Sequence, residues 1–407
     1  METICVKKKS SLYDFIIIIT ICSVIFSGPF WGAFTPVRLL GAVMLFFAVF
    51  HSNQLRQVKN LCHFFAFFII YAVISLVWTY DKGNAIIDLF QLVCYIGAFL
   101  GIYYSSLRAK NPCKSILIGW LIFALMNISV SYWEILTGNH FENGMYQSDN
   151  MAVGLDGIKS YLVYSAVTYG NYNSLSIVMV ICYYMLILFI SYTKSRLFKI
   201  LLLLIIFLIF GIEVVNNSRG CMLACVLGLL PLFSSIKSDK VAKYLLYFIF
   251  TCATIYAIYK FGDAIYFLID RKLTARTGGF WGDDRWKLWA SSLEVASNFA
   301  FLGSGPGSQI YELKSVHALN HYAHNMWLQT LIEYGFFITL FLVYSILRLI
   351  RKTLRTKDEF VKVIGLILLF SWPILTIVDE GYMKPIHWIF FASLLSLYHR
   401  SFENYFK

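Results

Sequence analysis

The sequence has little charge. Asp, Glu, Lys and Arg make up only 14% of its 407 residues, whereas hydrophobic residues make up 59%. Soluble proteins carry roughly 25% charged residues, so this chain lacks the charge to cover a water-facing surface. A soluble globular protein is excluded, and an integral membrane protein is indicated. Short alternating segments typical of an outer-membrane barrel are also lacking, so the long apolar runs predict an all-α fold.

The apolar runs predict a single polytopic membrane domain over residues 1–407 with about twelve transmembrane helices, because about 20 residues cross the hydrocarbon core. Two polar segments, 138–172 and 262–324, are much longer than the other connections. The predicted spans are 12–30, 37–51, 61–79, 85–106, 114–137, 173–192, 199–216, 220–236, 242–261, 325–347, 361–378 and 383–399.

Basic residues give the orientation, because Lys and Arg accumulate in short cytoplasmic loops. Most of the 34 Lys and Arg residues fall on one side if both termini are cytoplasmic. The segments 138–172 and 262–324 then both face outward, away from the cytoplasm. The net charge of +12 is explained by this topology, so a nucleic-acid partner is not needed.

Other absences narrow the function. The two long loops contain no cysteine, so no disulfide is expected to staple either loop. The turn GSGPG at 303–307 lacks the Lys-Ser/Thr ending of a nucleotide-binding P-loop. No internal repeat is evident, which weakens the case for a secondary transporter.

The second long loop contains one predicted helix over residues 284–298. Asp283 or Asp284 is its expected N-cap, and an apolar stripe is predicted from Trp286, Trp289, Leu293 and Ala296. Such a helix is expected to lie along the membrane surface. Taken alone, it is explained as an interfacial anchor, with Arg285 beside the Trp289 ring.

A histidine and an arginine on the predicted outer face are suited to proton transfer and to phosphate binding. His324 stands where a polar loop meets an apolar run, and imidazole exchanges protons near neutral pH. Arg219 stands at the outer end of a span, where it either snorkels to the interface or binds phosphate oxygens through its planar fork.

Three motifs follow in order on this face. They are Arg219-x-x-x-Leu223, Arg285-x-x-x-Trp289 with its following GSGPG turn, and His324-Asn325 followed by Gly335. GNYN at 170–173 precedes them as a glycine-asparagine entry to a span. Over roughly residues 165–340, this combination resembles the bacterial O-antigen ligase and polymerase superfamily.

The resemblance implies a GT-C-type membrane glycosyltransferase of the bacterial inner membrane, acting on an undecaprenyl-diphosphate-linked glycan at the periplasmic face. It implies that 138–172 and 262–324 are two periplasmic loops. It implies that Arg219 and Arg285 bind the donor diphosphate and stabilise charge on the leaving group. It implies that His324 is the general base or orients the acceptor hydroxyl. No cofactor and no metal are implied, because the guanidinium groups supply the positive charge.

Three further residues near His324 have predicted supporting roles, and two of them have alternative roles. Asn325 either positions the histidine or an acceptor, or caps the helix that starts there. Glu333 is either a structural hydrogen-bonding residue or part of the acceptor path, because intramembrane carboxylates face the protein interior. Gly335 is expected to permit close helix contact. His317 and His321 are expected to be ordinary loop residues.

The acceptor separates two closely related functions. A polymerase extends another lipid-linked repeat unit, whereas a ligase transfers the glycan to the lipid A core oligosaccharide. The long first loop favours the polymerase slightly, because its polar and aromatic residues suit a sugar-chain groove: His140, Phe141, Tyr146, Tyr161 and Tyr164. A chain-length regulator protein is a further expected partner. A polysaccharide flippase and a structural scaffold remain alternatives from other classes.

Overall fold

The computed structural model describes residues 9–28, 32, 34–51, 56–140, 164–216, 218–235, 244, 284–316, 322–378 and 384–405. Within these ranges the regular elements are helices, and the one β-type contact is an isolated bridge between Ser10 and Ala109. Seven of these helices are long and apolar enough to cross a membrane. The predicted all-α membrane fold is confirmed.

The helices follow the predicted spans closely. They are α1 (Ser11–Cys22, continued by the 3-10 turn Ser23–Phe26), α2 (Pro36–Phe50), α3 (Arg56–Ser75), α4 (Lys82–Arg108), α5 (Pro112–Thr137), α6 (Tyr172–Tyr192), α7 (Arg196–Asn216), α8 (Arg219–Leu227), α9 (Leu229–Ser235), α10 (Asp284–Asn298), α11 (Gln309–Ser315), α12 (Met326–Leu354), α13 (Glu359–Leu366), α14 (Trp372–Val378) and α15 (Pro385–Tyr405). A π-helical turn, Ile367–Ser371, joins α13 to α14. Apart from Tyr244, the predicted span 242–261 lies outside the described residues, so the count of twelve stays a prediction.

Helix α6 is the centre of the bundle. In its most apolar 18-residue segment, 89% of the residues are buried inside the protein, compared with 33% in the corresponding segment of α12. It packs against α5, α7, α8, α9 and α13. A helix that is apolar on all sides is stable in such a central position because every face has a protein partner. The sequence of α6 is of this kind, with buried residues from Leu175 to Ile190.

Helix α12 is broken at Gly335, whose backbone angles are φ 77° and ψ −178°. The loop after α10 enters this break and completes the backbone hydrogen bonds. Ser304 N donates to Ile332 O at 2.7 Å, and Phe336 N donates to Phe301 O at 2.7 Å. A broken helix at membrane depth is tolerated when neighbouring protein satisfies the freed backbone groups.

The break also separates two parts of α12 with different surroundings. The large apolar side chains that α12 exposes all follow Gly335, and they are Phe336, Phe337, Leu340, Phe341, Tyr344 and Leu347. Trp78 and Tyr80, both exposed, lie on the connection that contacts the same loop, with Trp78 Nε1 donating to Gly303 O at 2.8 Å. Aromatic residues concentrate at the edge of the hydrocarbon.

The part of α12 that follows the break is therefore the part that exposes large apolar side chains at the protein surface. From Phe336 to Leu354 the helix runs about 28 Å at about 1.5 Å per residue, which matches a core of about 30 Å. The predicted span 325–347 lies almost entirely within α12, Met326–Leu354, which is long and apolar enough to cross a membrane. The first part of this helix, residues 326–334, packs largely within the protein.

We expect Gly335→Ala to destabilise the protein. A Cβ at this position would clash with the backbone oxygen of Phe301, and the backbone angles suit glycine. Strain of this kind costs about 1–3 kcal/mol before the clash is counted. Thermal unfolding in detergent should show a clearly lower midpoint. The matched control is Gly83→Ala in α4, whose Cβ would meet only Asp81 Oδ1 at 3.4 Å; equal midpoints for the two variants would contradict this account of the break.

Candidate active site

Asn325 is the N-cap of α12. Its backbone is extended, and its side-chain oxygen accepts hydrogen bonds from Trp327 N at 3.0 Å and Leu328 N at 3.2 Å. The first N–H groups of a helix have no partner within the helix, so a capping side chain stabilises the start. The cap interpretation of Asn325 is confirmed, and this side chain is only 7% exposed.

His324 has a left-handed backbone, with φ at 46°, and it is half-buried. The backbone of the preceding residue, Ala323, makes two hydrogen bonds to side chains of neighbouring helices. Ala323 O accepts a hydrogen bond from Trp289 Nε1 at 3.2 Å, and Ala323 N donates to Gln309 Oε1 at 3.4 Å. His324 therefore stands between a clamped residue and a helix cap, and this fixes the position of its backbone. Its ring centroid lies 6.4 Å from that of Tyr322.

Glu333 has a structural contact with the GSGPG turn. Its Oε2 accepts a hydrogen bond from Gly307 N at 2.9 Å, and its backbone oxygen accepts one from Gly305 N at 2.9 Å. Gln329 Nε2 lies 3.4 Å from the other carboxylate oxygen. With 1% exposure, Glu333 joins α12 to the turn. These contacts support the structural assignment of this residue.

Gly335 permits a close contact, but the partner is a loop rather than a helix. The backbone of Phe301 and Leu302 occupies the space that a side chain at position 335 would need. Conversely, a Cβ added at Gly303 would lie 2.6 Å from Gly335 N. The expected helix contact is therefore corrected. The two glycines allow two backbones to approach closely where the helix is broken.

Helix α10 is present as predicted, but its buried face differs from the predicted stripe. Leu293 is 50% exposed, whereas Leu288, Val295 and Ala296 are buried. Leu288 and Val295 form a small apolar core with Leu313 of α11 and Ile332 of α12. The predicted stripe is thus largely a different face from the one that packs against protein, and its contact with the membrane surface stays a prediction.

The two candidate arginines lie at helix starts. Arg219 opens α8 and Arg285 is the second residue of α10, and the side chains of both lie outside the described part of the structure. Trp289, one turn after Arg285, contacts the residue before His324. Helix α8 packs against α14, and Trp327 Nε1 of α12 donates to Thr376 Oγ1 of α14 at 3.1 Å.

Helices α10 and α12 are thus in contact, and α14 contacts both α8 and α12. Whether the arginine side chains face His324 stays a prediction, as does the assignment of both loops to the periplasm. His317 and His321 lie outside the described residues, as do Phe141, Tyr146 and Tyr161 of the first loop.

Two buried carboxylates were missed at the sequence level. Glu134 of α5 accepts hydrogen bonds from Ser165 Oγ at 2.6 Å and from Ala166 N at 2.8 Å, so it holds the end of the first long loop. Glu213 of α7 is fully buried, and neither carboxylate oxygen has a hydrogen-bond partner among the described residues. An acidic residue within an apolar span was the available signal, because intramembrane charges are costly and usually have a role.

Metal-ligating residues are not grouped in the described ranges. No cluster of three or more His, Cys, Asp and Glu side chains in these ranges could hold a metal ion.

Residues 204–343 match the family described as O-antigen ligase. The matched segment runs from α7 to the second part of α12, and it contains Arg219, Arg285, His324, Asn325, Glu333 and Gly335. This match confirms the resemblance to the O-antigen ligase and polymerase superfamily, whose members are membrane glycosyltransferase-like enzymes. No curated protein matches the chain in a sequence comparison.

We expect Asn325→Ala to lower stability by about 1 kcal/mol, the usual cost of losing a side-chain cap. Asn325→Ser should retain most of the stability, because serine also caps helices. Thermal unfolding in detergent and glycan transfer should be measured on both variants. A fully stable Asn325→Ala would contradict the capping role. A stable but inactive Asn325→Ser would show that the amide also contacts substrate.

Proposed function

We propose that the protein is a polysaccharide polymerase of the bacterial inner membrane. It transfers an undecaprenyl-diphosphate-linked glycan to the terminal sugar of another lipid-linked repeat unit at the periplasmic face, with both termini of the chain in the cytoplasm. The observation that carries this proposal is the fixed position of His324 within the segment that matches the O-antigen ligase family. A flippase or a scaffold would not require a proton-transferring group there.

The proposed reaction is a displacement at the anomeric carbon of the donor. The acceptor hydroxyl oxygen forms a bond to that carbon, and the bond from the carbon to the diphosphate oxygen breaks. The electron pair leaves with the lipid diphosphate, and the hydroxyl proton passes to His324 as general base. Arg219 and Arg285 bind the diphosphate and stabilise its developing charge, so the proposal includes no metal ion.

The alternative function is an O-antigen ligase, in which the acceptor is the lipid A core oligosaccharide. The family match supports a function of either kind, and the preference for the polymerase comes from the long first loop. The donor site and the role of His324 are the same for both functions. The two differ only in the acceptor, so the acceptor is the variable in the experiment.

We expect His324 to be required for transfer and dispensable for folding. Because its backbone is left-handed, His324→Asn is a better test than alanine: asparagine tolerates this conformation and lacks a group that titrates near neutral pH. A positioned acid-base group contributes about a hundredfold to ten-thousandfold in rate. His324→Asn should therefore accumulate normally and leave the donor glycolipid largely unconsumed.

The assay uses purified protein, the lipid-diphosphate glycan, and either a second lipid-linked repeat or lipid A core as acceptor. Products are resolved on a gel. Elongation of the lipid-linked repeat supports the polymerase, and transfer to lipid A core alone supports the ligase. Normal turnover by well-folded His324→Asn would remove the proposed mechanism.

We also expect Arg219→Lys and Arg285→Lys to lose much of the activity at equal protein levels. Lysine retains the charge but cannot bind two phosphate oxygens through a planar fork. Lys287→Arg is a control in the same helix as Arg285, because Lys287 is exposed. Glycan transfer at the wild-type rate by both variants would indicate that Arg219 and Arg285 are ordinary interfacial anchors.

A further inference from the structure

A small polar pocket lies where three helices begin. Arg38 is in the first turn of α2, Ser174 is in the first turn of α6, and Pro385 is the first residue of α15, and all three line the pocket. Its volume is about 130 Å³. In the proposed topology these three helix starts face the periplasm. The described lining residues lie outside the segment 204–343 that matches the family, so the pocket is built without any residue of the three motifs.

The pocket carries positive charge. Arg38 and Lys384 both line it, and both are half-buried. Among the described lining residues none is acidic. Asp88 of α4 interacts electrostatically with Arg38, but it does not line the pocket. The start of a helix adds a partial positive charge of about half an elementary charge, so the three helix starts and the two side chains together favour a bound anion.

Polar contacts set the positions of the two basic groups. Arg38 Nε donates to Tyr95 Oη at 3.0 Å, and Arg38 Nη2 donates to Gln91 Oε1 at 2.9 Å. Lys384 Nζ donates to Ser174 Oγ at 3.4 Å. Tyr95 is itself only 1% exposed. Because these neighbours belong to the helices themselves, the charges are in place before a ligand binds.

One wall of the pocket is the end of the first long loop. Tyr169 lines the pocket, and its Oη donates to Asn127 Oδ1 of α5 at 2.9 Å. Tyr164, one of the aromatic residues of the predicted sugar-chain groove, stacks on Tyr172 at the start of α6, with ring centroids 4.7 Å apart. The pocket thus lies at the end of the loop that the sequence analysis assigns to the glycan.

The surroundings of the pocket distinguish between possible anions. Its inner wall includes Tyr95 of α4 and Val178 of α6, the central helix, and these residues are 1% and 3% exposed. This wall therefore lies inside the bundle and not on the lipid-exposed surface. A phospholipid headgroup would need a path for its acyl chains. A sugar needs hydroxyl partners beside the charges, and Tyr169 and Ser174 supply them.

We propose that this pocket binds the carboxylate of an acidic sugar in the glycan substrate. Arg38 and Lys384 bind the carboxylate oxygens through charge-assisted hydrogen bonds, and the hydroxyl groups that line the pocket bind the sugar. The inference rests on the proposed function, because it names the class of glycan that the same enzyme accepts. The protein then prefers acidic repeat units over neutral ones of the same size.

The test measures the binding of two lipid-free tetrasaccharides by titration calorimetry on the full-length protein in neutral detergent. One has a terminal glucuronic acid, and the other has glucose in its place. Wild-type protein should bind the acidic one more tightly. Lys384→Gln should lower the ratio of the two affinities about tenfold, the usual effect of losing one charge-assisted hydrogen bond. Lys384→Arg should retain most of the preference because it keeps the charge.

Lys82→Gln is the matched control. Lys82 is exposed at the start of α4, on the same proposed side of the membrane, and it does not line the pocket. The affinity ratio should not change in this variant. An equal fall in Lys82→Gln and Lys384→Gln would show that general surface charge attracts the glycan, and it would overturn the inference. So would equal binding of the two tetrasaccharides by wild-type protein, a result that needs no variant to fold.

A competition experiment separates other sources of the anion. Sodium phosphate, at an ionic strength matched with sodium chloride, and vesicles of phosphatidylglycerol are each added to the complex with the acidic tetrasaccharide. We expect neither to displace it more than sodium chloride or phosphatidylcholine vesicles do. Displacement by phosphate would assign the pocket to free phosphate, and displacement by phosphatidylglycerol would assign it to a lipid headgroup; either result overturns the proposal.

Binding requires no turnover, so the two proposals fail separately. A protein that prefers the acidic tetrasaccharide but transfers no glycan would refute the proposed function and leave the carboxylate site in place. A protein that transfers glycan but binds both tetrasaccharides equally would retain the proposed function and lose the site.

Discussion

The arrangement of the candidate site depends on one constraint: every backbone group freed by the break in α12 needs a hydrogen-bond partner. The loop after α10 supplies these partners, with Ser304 and Gly305 donating to the carbonyls of Ile332 and Glu333. An unsatisfied backbone group costs several kcal/mol in an apolar environment. The loop is therefore fixed to α12, and α10 and α11 are fixed on either side of it.

From this junction the position of His324 follows. Helix α11 carries Gln309 and helix α10 carries Trp289, and these two side chains hold the backbone of Ala323. Asn325 then sets the first turn of α12. The histidine is thus positioned by contacts from three helices whose mutual arrangement depends on the broken one.

The sequence predicted the helices well and the site only in part. Long apolar runs determine helix formation directly, because a membrane-spanning segment must satisfy its own backbone hydrogen bonds. The helix cap was one of two predicted roles for Asn325, and the local sequence pattern alone could not distinguish between the two roles. The clamp on Ala323 was not predictable, since Gln309 and Trp289 meet it only through tertiary packing.

Hydrophobicity predicts that a face avoids water, but it does not distinguish whether lipid or protein covers that face. On α10 the face that packs against protein contains Leu288 and Val295, which lie outside the predicted apolar stripe, whereas Leu293 of the stripe is exposed at the protein surface. Two roles were open for Glu333, and its hydrogen bond with Gly307 supports the structural one. Neither contact was predictable, because both depend on how the loop and α12 pack together.

The break at Gly335 also sets a distance. The helical segment from Met326 to Tyr334 holds His324 roughly 15 Å along the helix axis from the break, at about 1.5 Å per residue. The part of α12 that exposes apolar side chains begins directly after the break. Under the proposed function, the length of this one short helical segment therefore fixes how far the proton-accepting group stands from the lipid-exposed part of the same helix.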